Sequence, residues 1–236
     1  METLIEYRDV RVDGDDGPIV AGFSAAVPAG RLTVMVGPSG AGKTTLLRLL
    51  NRLDDPDEGA VLFGGQDVRR YDVLDLRRRV QVVGQVPVTF PGTVEENIGE
   101  LDLPPPRQIG ELYLPPPRQG GSAPADGSGP AGSGDVGPLL ARVGLDPALA
   151  TREADRLSVG EAQRLCLARS LALGPEVLAL DEPTSALDTA SKAGIVALIT
   201  GLARSGLTVV MVTHDPAHAD LADHVVTVDP IQRGGR

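Results

Sequence analysis

The feature that most constrains the fold is a run of eight residues, Gly37, Pro38, Ser39, Gly40, Ala41, Gly42, Lys43 and Thr44, which satisfies the pattern G-x-x-x-x-G-K-[ST]. It follows directly on Leu32, Thr33, Val34, Met35 and Val36, an apolar, β-branched stretch that reads as a buried strand. It precedes residues 45–53, whose pattern predicts a helix. Strand, glycine-rich turn and helix in that order build a phosphate loop. The glycines let successive backbone N–H groups turn inward on an anion, and the positive end of the helix dipole completes the cradle. Lys43 is then placed to reach the β and γ phosphates of a nucleotide, and the Thr44 hydroxyl to bind Mg2+, with Thr45 beside it in the binding set. The lysine carries information because only two, Lys43 and Lys192, occur among 22 basic side chains.

Two further runs, residues 177–180 and 208–212, resemble residues 32–36 and end in polar residues, with a helix-like stretch at 164–173 ahead of the first of them. Strands alternating with helices predict an α/β fold whose chemistry lies at the strand ends. The first of these runs leads into Asp181 and Glu182. One carboxylate at such a strand end can hold a metal-bound water, and the other can position and deprotonate an attacking water. Residues 5–12 and 23–27 instead alternate apolar and polar, which predicts an antiparallel flap beside the main sheet. Tyr7 stands in that alternation and is assigned to the core.

The length, 236 residues, suits one domain. Hydrophobic residues make up 42% and charged ones 23%, the balance of a globular protein. No apolar run approaches the roughly 18 residues needed to cross a bilayer. The first residues carry acids where a secretory signal would carry bases, and a single cysteine, Cys166, fits a reducing compartment. A net charge of −10 repels phosphate backbones, so nucleic acid is not an expected partner. Residues 103–138 are set apart by nine prolines and eight glycines, and the stretch 103–110 recurs at 114–121 with seven of eight positions identical. This segment reads as a linker or surface insert. A short duplication in a tolerant loop accounts for it, and a polyproline helix offered to a recognition module is the alternative.

Between the phosphate loop and Asp181 stand Leu157, Ser158, Val159, Gly160, Glu161, Ala162, Gln163 and Arg164. With them the chain resembles the nucleotide-binding subunits of ATP-binding cassette (ABC) transporters, whose signature is close to L-S-G-G-Q. Val159 replaces the usual glycine and Glu161 the usual glutamine, while Ser158 and Gly160, which in the family contact the γ-phosphate, are kept. Other marks of the family follow in register. Gln85 is similar to its glutamine loop, a ligand of Mg2+ and a sensor of γ-phosphate beneath the membrane subunit. Phe90, Pro91, Gly92 and Thr93 are similar to the segment after it. Ser185 to Asp188 is similar to the D-loop and His214 to the switch histidine. The aromatic residue that stacks on adenine in the family is expected near Asp13 and Gly14, and none is there.

The resemblance implies a P-loop NTPase core with a parallel sheet, an N-terminal antiparallel β flap, and a small helical subdomain over about residues 86–156 carrying the Pro/Gly-rich insert. One ABC-type nucleotide-binding domain would occupy residues 1–236. It implies catalytic roles for Glu182, His214 and Gln85, contacts to ATP from residues 37–45, Ser158, Gly160 and Asp188, and Mg2+ ligation by Thr44, Gln85 and Asp181. It also implies two cassettes, as a homodimer, sandwiching two ATP molecules, separate transmembrane permease subunits as partners, and a peripheral position on the cytoplasmic face of the cell membrane. The rival reading is a soluble ATPase of the same superfamily acting on nucleic acid or the ribosome. Such relatives carry a coiled-coil insert, a zinc-binding cysteine set or two cassettes in one chain, and this sequence has none.

Overall fold

The computed structural model describes residues 2–99 and 136–230; apart from its last three residues, the low-complexity segment at 103–138 lies outside them. Two long strands, β1 (Thr3–Gly14) and β2 (Gly17–Pro28), form the expected antiparallel hairpin. Next come β3 (Leu32–Val36), α1 (Lys43–Leu49), β4 (Glu58–Phe63) and the short β5 (Gln66–Asp67). Then α2 (Val73–Arg79) leads straight into β6 (Val80–Val83), followed by α3 (Val94–Gly99) and α4 (Gly137–Arg142). The rest alternates: α5 (Val159–Ala172), β7 (Val177–Asp181), α6 (Thr189–Arg204), β8 (Thr208–Thr213) and β9 (His224–Thr227).

The strands make two sheets, an antiparallel one in the order β2-β1-β4-β5 and a parallel one in the order β6-β7-β8-β3-β9. The central strands of the parallel sheet, β7, β8 and β3, are buried on both faces, which explains why they read as unbroken apolar runs. Along β8, Val209 and Met211 join a core with α3, α4, α5 and α6, whereas Val210 and Val212 join a second core with α1 and the antiparallel sheet. Strand β7 divides in the same way, Leu178 and Leu180 against Val177 and Ala179. The α/β architecture expected from the sequence is therefore present, with the hairpin packed as a flap over one face.

Two helix boundaries differ from the sequence expectation. Helix α1 begins at Lys43, two residues early, and ends at Leu49, because Arg52 turns left-handed (φ 56°) and the N–H groups of Leu53 and Asp54 fold back onto the Arg48 carbonyl. Helix α5 begins five residues before Arg164. A capping box starts it: the Ser158 Oγ accepts from the Glu161 N–H, while the Glu161 carboxylate accepts from the Ser158 N–H.

Candidate functional site

The order of the parallel strands builds the site. At their carboxyl ends, β3 runs into residues 37–42, β8 into His214, β7 into Asp181 and Glu182, and β6 into the loop bearing Gln85. Four neighbouring strands thus bring the candidate residues to one edge, where open α/β sheets bind ligands.

The phosphate loop wraps from β3 to the first turn of α1. Gly42 is left-handed (φ 87°), and a Cβ there would lie 2.6 Å from Val20 Cγ2 and 3.0 Å from the Ile19 carbonyl, so the flap leaves room for glycine alone. A Cβ on Gly37 would sit 2.3 Å from the Val228 carbonyl. Lys43 is buried, and its Nζ donates to the carbonyls of Gly37 and Pro38, each at 2.8 Å. The ammonium is held across the mouth of its own loop, a position from which it can exchange those carbonyls for phosphate oxygens.

The Thr44 hydroxyl donates to Asp181, 2.9 Å from Oδ2 and 3.2 Å from Oδ1. Burial pushes the Asp181 carboxyl above the ordinary carboxylate range; the hydrogen bond from Thr44 opposes this, Glu182 adds to it, and Lys43 opposes it. Hydroxyl and carboxylate together form a hard oxygen pair. Mg2+ is held in this way, by one or two protein oxygens with phosphate and water completing the octahedron, so the residues fit the ion.

Glu182 has a left-handed backbone (φ 44°), which a non-glycine residue rarely adopts, and its N–H donates to the Val212 carbonyl at 3.0 Å. This turn aims the side chain at His214, whose Nδ1 lies 2.5 Å from Glu182 Oε2. The carboxylate can only accept, so Nδ1 carries the proton and Oε1 stays available to another donor. Gln85 reaches the same neighbourhood through Ser185, Nε2 to Oγ at 3.2 Å.

The structure brings together the phosphate loop, Asp181, Glu182 and His214, and it sets the signature residues elsewhere. Ser158 caps α5 and donates its hydroxyl to Glu161 Oε2 at 2.7 Å. A Cβ on Gly160 would lie 3.1 Å from Ser191 Oγ, a side chain that itself donates to Asp188, the N-cap of α6. Among the described residues, no hydrogen bond or ion pair joins Ser158, Gly160 or Asp188 to residues 37–45.

Tyr7 is fully buried, its hydroxyl donating to the Leu46 carbonyl at 3.0 Å and its ring edge-on to Phe23, so it is the core residue the alternation predicts. Beside Gly14, where the aromatic is missing, stands Ile19: a Cβ on Gly14 would meet its Cγ1 and Cδ1 at 3.0 Å. Ile19 is partly exposed and also borders Gly42, which makes it an apolar neighbour of the phosphate loop that the sequence reading missed. Only the pairing of β1 with β2 reveals it.

Comparison with known proteins identifies the family. The family model described as ABC transporter matches residues 20–185. The chain belongs to the ABC transporter family. Protein STAR1 of Oryza sativa subsp. japonica is 45% identical over 197 residues, 83% of this chain and 51% of that protein. A probable anion import ATP-binding protein of Haloferax volcanii is 38% identical over 224 residues, 92% of this chain and 74% of that one. The chain thus spans about half the length of the first relative and about three quarters of the second. Among solved structures, cbiO1 of Clostridium perfringens, described as part of the ABC transporter complex cbiONQ, superposes with a TM-score of 0.76 over 96% of this chain and 85% of its own, at 24% identity, which shows the shared fold. The chain is an ABC ATPase domain, with the P-loop core and antiparallel flap of that fold.

Proposed function

We propose that this chain is the ATP-hydrolysing subunit of a membrane transporter, coupling ATP binding and hydrolysis in a two-cassette sandwich to solute movement through separate transmembrane subunits. The observation that carries the proposal is the convergence, at four adjacent strand ends, of the Lys43 loop, the Thr44–Asp181 pair and the Glu182–His214 pair. Backbone N–H groups of the loop and Lys43 hold the triphosphate. Thr44 and Asp181, with Gln85 alongside, would hold Mg2+, which when bound would supply positive charge against that developing on the phosphate oxygens. Glu182 accepts a proton from the attacking water through Oε1 while His214 fixes its other oxygen, so positioning and electrostatics provide the catalysis.

Ser158 and Gly160, remote from the chain's own loop, are assigned to the γ-phosphate of a second copy, and Asp188 to the same contact. Residues 86–156, with α3 and α4, are assigned as the helical subdomain that touches the permease. The exposed Val86, Val88 and Phe90 beyond Gln85 support that docking face, and through it a peripheral position on the cytoplasmic side of the membrane. The relative named for anion import supports uptake as the direction. Size-exclusion chromatography with ATP tests the proposal. Lys43→Ala abolishes ATP binding, whereas Glu182→Gln keeps it and accumulates as an ATP-bound dimer. A Glu182→Gln protein that stays monomeric at saturating ATP, or hydrolyses at the parent rate, overturns it.

A further inference from the structure

His218 lies in the short 3-10 turn Pro216–Leu221, four residues past His214, with 9% of its surface exposed. Its Nδ1 is 3.1 Å from the Oγ1 of Thr213, the last residue of β8, itself 3% exposed. That hydroxyl already accepts from the Asp215 N–H at 3.0 Å. The hydroxyl keeps its own proton and a second lone pair, so its bond to His218 Nδ1 forms with either imidazole tautomer and in both ties the ring to the last residue of β8. The main chain closes the same circuit, because the His218 N–H donates to the Asp215 carbonyl at 3.2 Å and the Ala217 N–H to Asp215 Oδ1 at 3.0 Å.

Residues 213 and 215–218 therefore form a hydrogen-bonded knot, and His214 is the residue enclosed by it. Its ring points outward, mostly exposed, to Glu182. The far end of the turn is tied to β3, the strand that enters the phosphate loop: the Leu32 N–H donates to Asp223 Oδ2 and the Asp223 N–H to the Leu32 carbonyl, both at 2.9 Å. Mostly exposed, the ring is held by its bond to Glu182 and by the backbone that carries it, not by packing.

We propose that His218 is a positioning residue for hydrolysis, acting through Thr213 to hold His214 against Glu182. The inference rests on the role proposed above for His214. Without the imidazole, the Thr213 hydroxyl loses that partner, the knot loosens at the residue preceding His214, and the histidine no longer meets Glu182 in a single geometry. Reacting groups displaced by about 1 Å can lose roughly a hundredfold in rate. A residue two contacts from the water is expected to show a smaller part of this, about tenfold in kcat, with the KM for ATP unchanged within about twofold because the phosphate loop is untouched.

The test measures kcat and KM for ATP hydrolysis in His218→Ala, His218→Asn, Thr213→Val and His214→Ala, alone and combined. Asn can place its amide near the position of the imidazole Nδ1 and, through Oδ1 or Nδ2, make the same bond to Thr213 in either direction. His218→Ala and Thr213→Val should each lower kcat about tenfold, their combination should be no worse than either, and His218→Asn should recover most of the rate. In the His214→Ala background, His218→Ala should cause no further loss. If His218→Ala does not fold, the Thr213→Val and His218→Asn pair decides the matter in the same way. Full kcat in Thr213→Val, or additive losses in the His214→Ala background, overturns the inference while leaving the role of His214 intact. Parent kcat in His214→Ala overturns that role and the inference with it.

Discussion

Asp181 carries opposed demands within one side chain. Burial raises its carboxyl above the ordinary range, so the nucleotide-free fold favours the protonated form. Its contribution to stability is then fully present below the unfolded carboxylate value and lost as pH rises through the raised one. Asp181→Asn, which keeps an oxygen for Thr44, should melt higher than the parent without nucleotide at pH 8, by a margin that closes toward pH 4, and should lose Mg2+-dependent hydrolysis. Thermal melts across that range check it, and a margin that ignores pH rules out the charge as its cause. The base subsite makes a second prediction. With glycine at position 14 and aliphatic Ile19 beside it, the described residues around Gly14 offer no aromatic stacking platform, a contact worth roughly 1 to 3 kcal/mol. GTP should compete with ATP within about tenfold, and Gly14→Tyr, whose Cβ presses on Cγ1 and Cδ1 of the Ile19 side chain, should tighten both. A competition titration showing a preference for ATP above about a hundredfold contradicts it.

Among the elements, those whose signals are local were legible in the sequence. The phosphate loop, the Asp181 strand end and the alternating flap strands announce themselves within a few residues. What could not be read there depends on neighbours distant in the chain. Strand order, which seats β8 between β7 and β3 and so puts His214 beside Glu182, is a tertiary property, as are the left-handed backbone of Glu182 and the bond between Thr213 and His218. The early start of α5 could have been found, since Ser158 followed three residues later by Glu161 is a capping-box pattern. The contact of β1 with α1 gives a prediction at this scale. Tyr7→Phe removes the bond to the Leu46 carbonyl and should cost about 1 kcal/mol, and Tyr7→Ala about 3 to 5 kcal/mol. Chemical denaturation measures both, and the choice between ATP and GTP should not change in either.

Across the whole molecule, α3 and α4 stand on either side of the segment that lies outside the described residues. Ile98 of α3 and Leu139 and Leu140 of α4 nevertheless enter the same core against α5. Hydrogen bonds between residues 92–95 and 150–154 add to that closure. Replacing residues 103–134 with a short Gly-Ser linker should therefore leave basal ATPase activity within about threefold, because loop length changes closure entropy only logarithmically. Loss of helical signal in circular dichroism would show instead that the segment packs into the domain.

The parallel sheet has one more consequence. Every second side chain of β7 and β8 belongs to one core and its neighbour to the other, so the sheet is a wall shared by two rooms. Neither half can melt without stripping the opposite face of the same strands. A calorimetric scan of the nucleotide-free chain should show a single endotherm whose van't Hoff and calorimetric enthalpies agree, with the flap and the helices lost together.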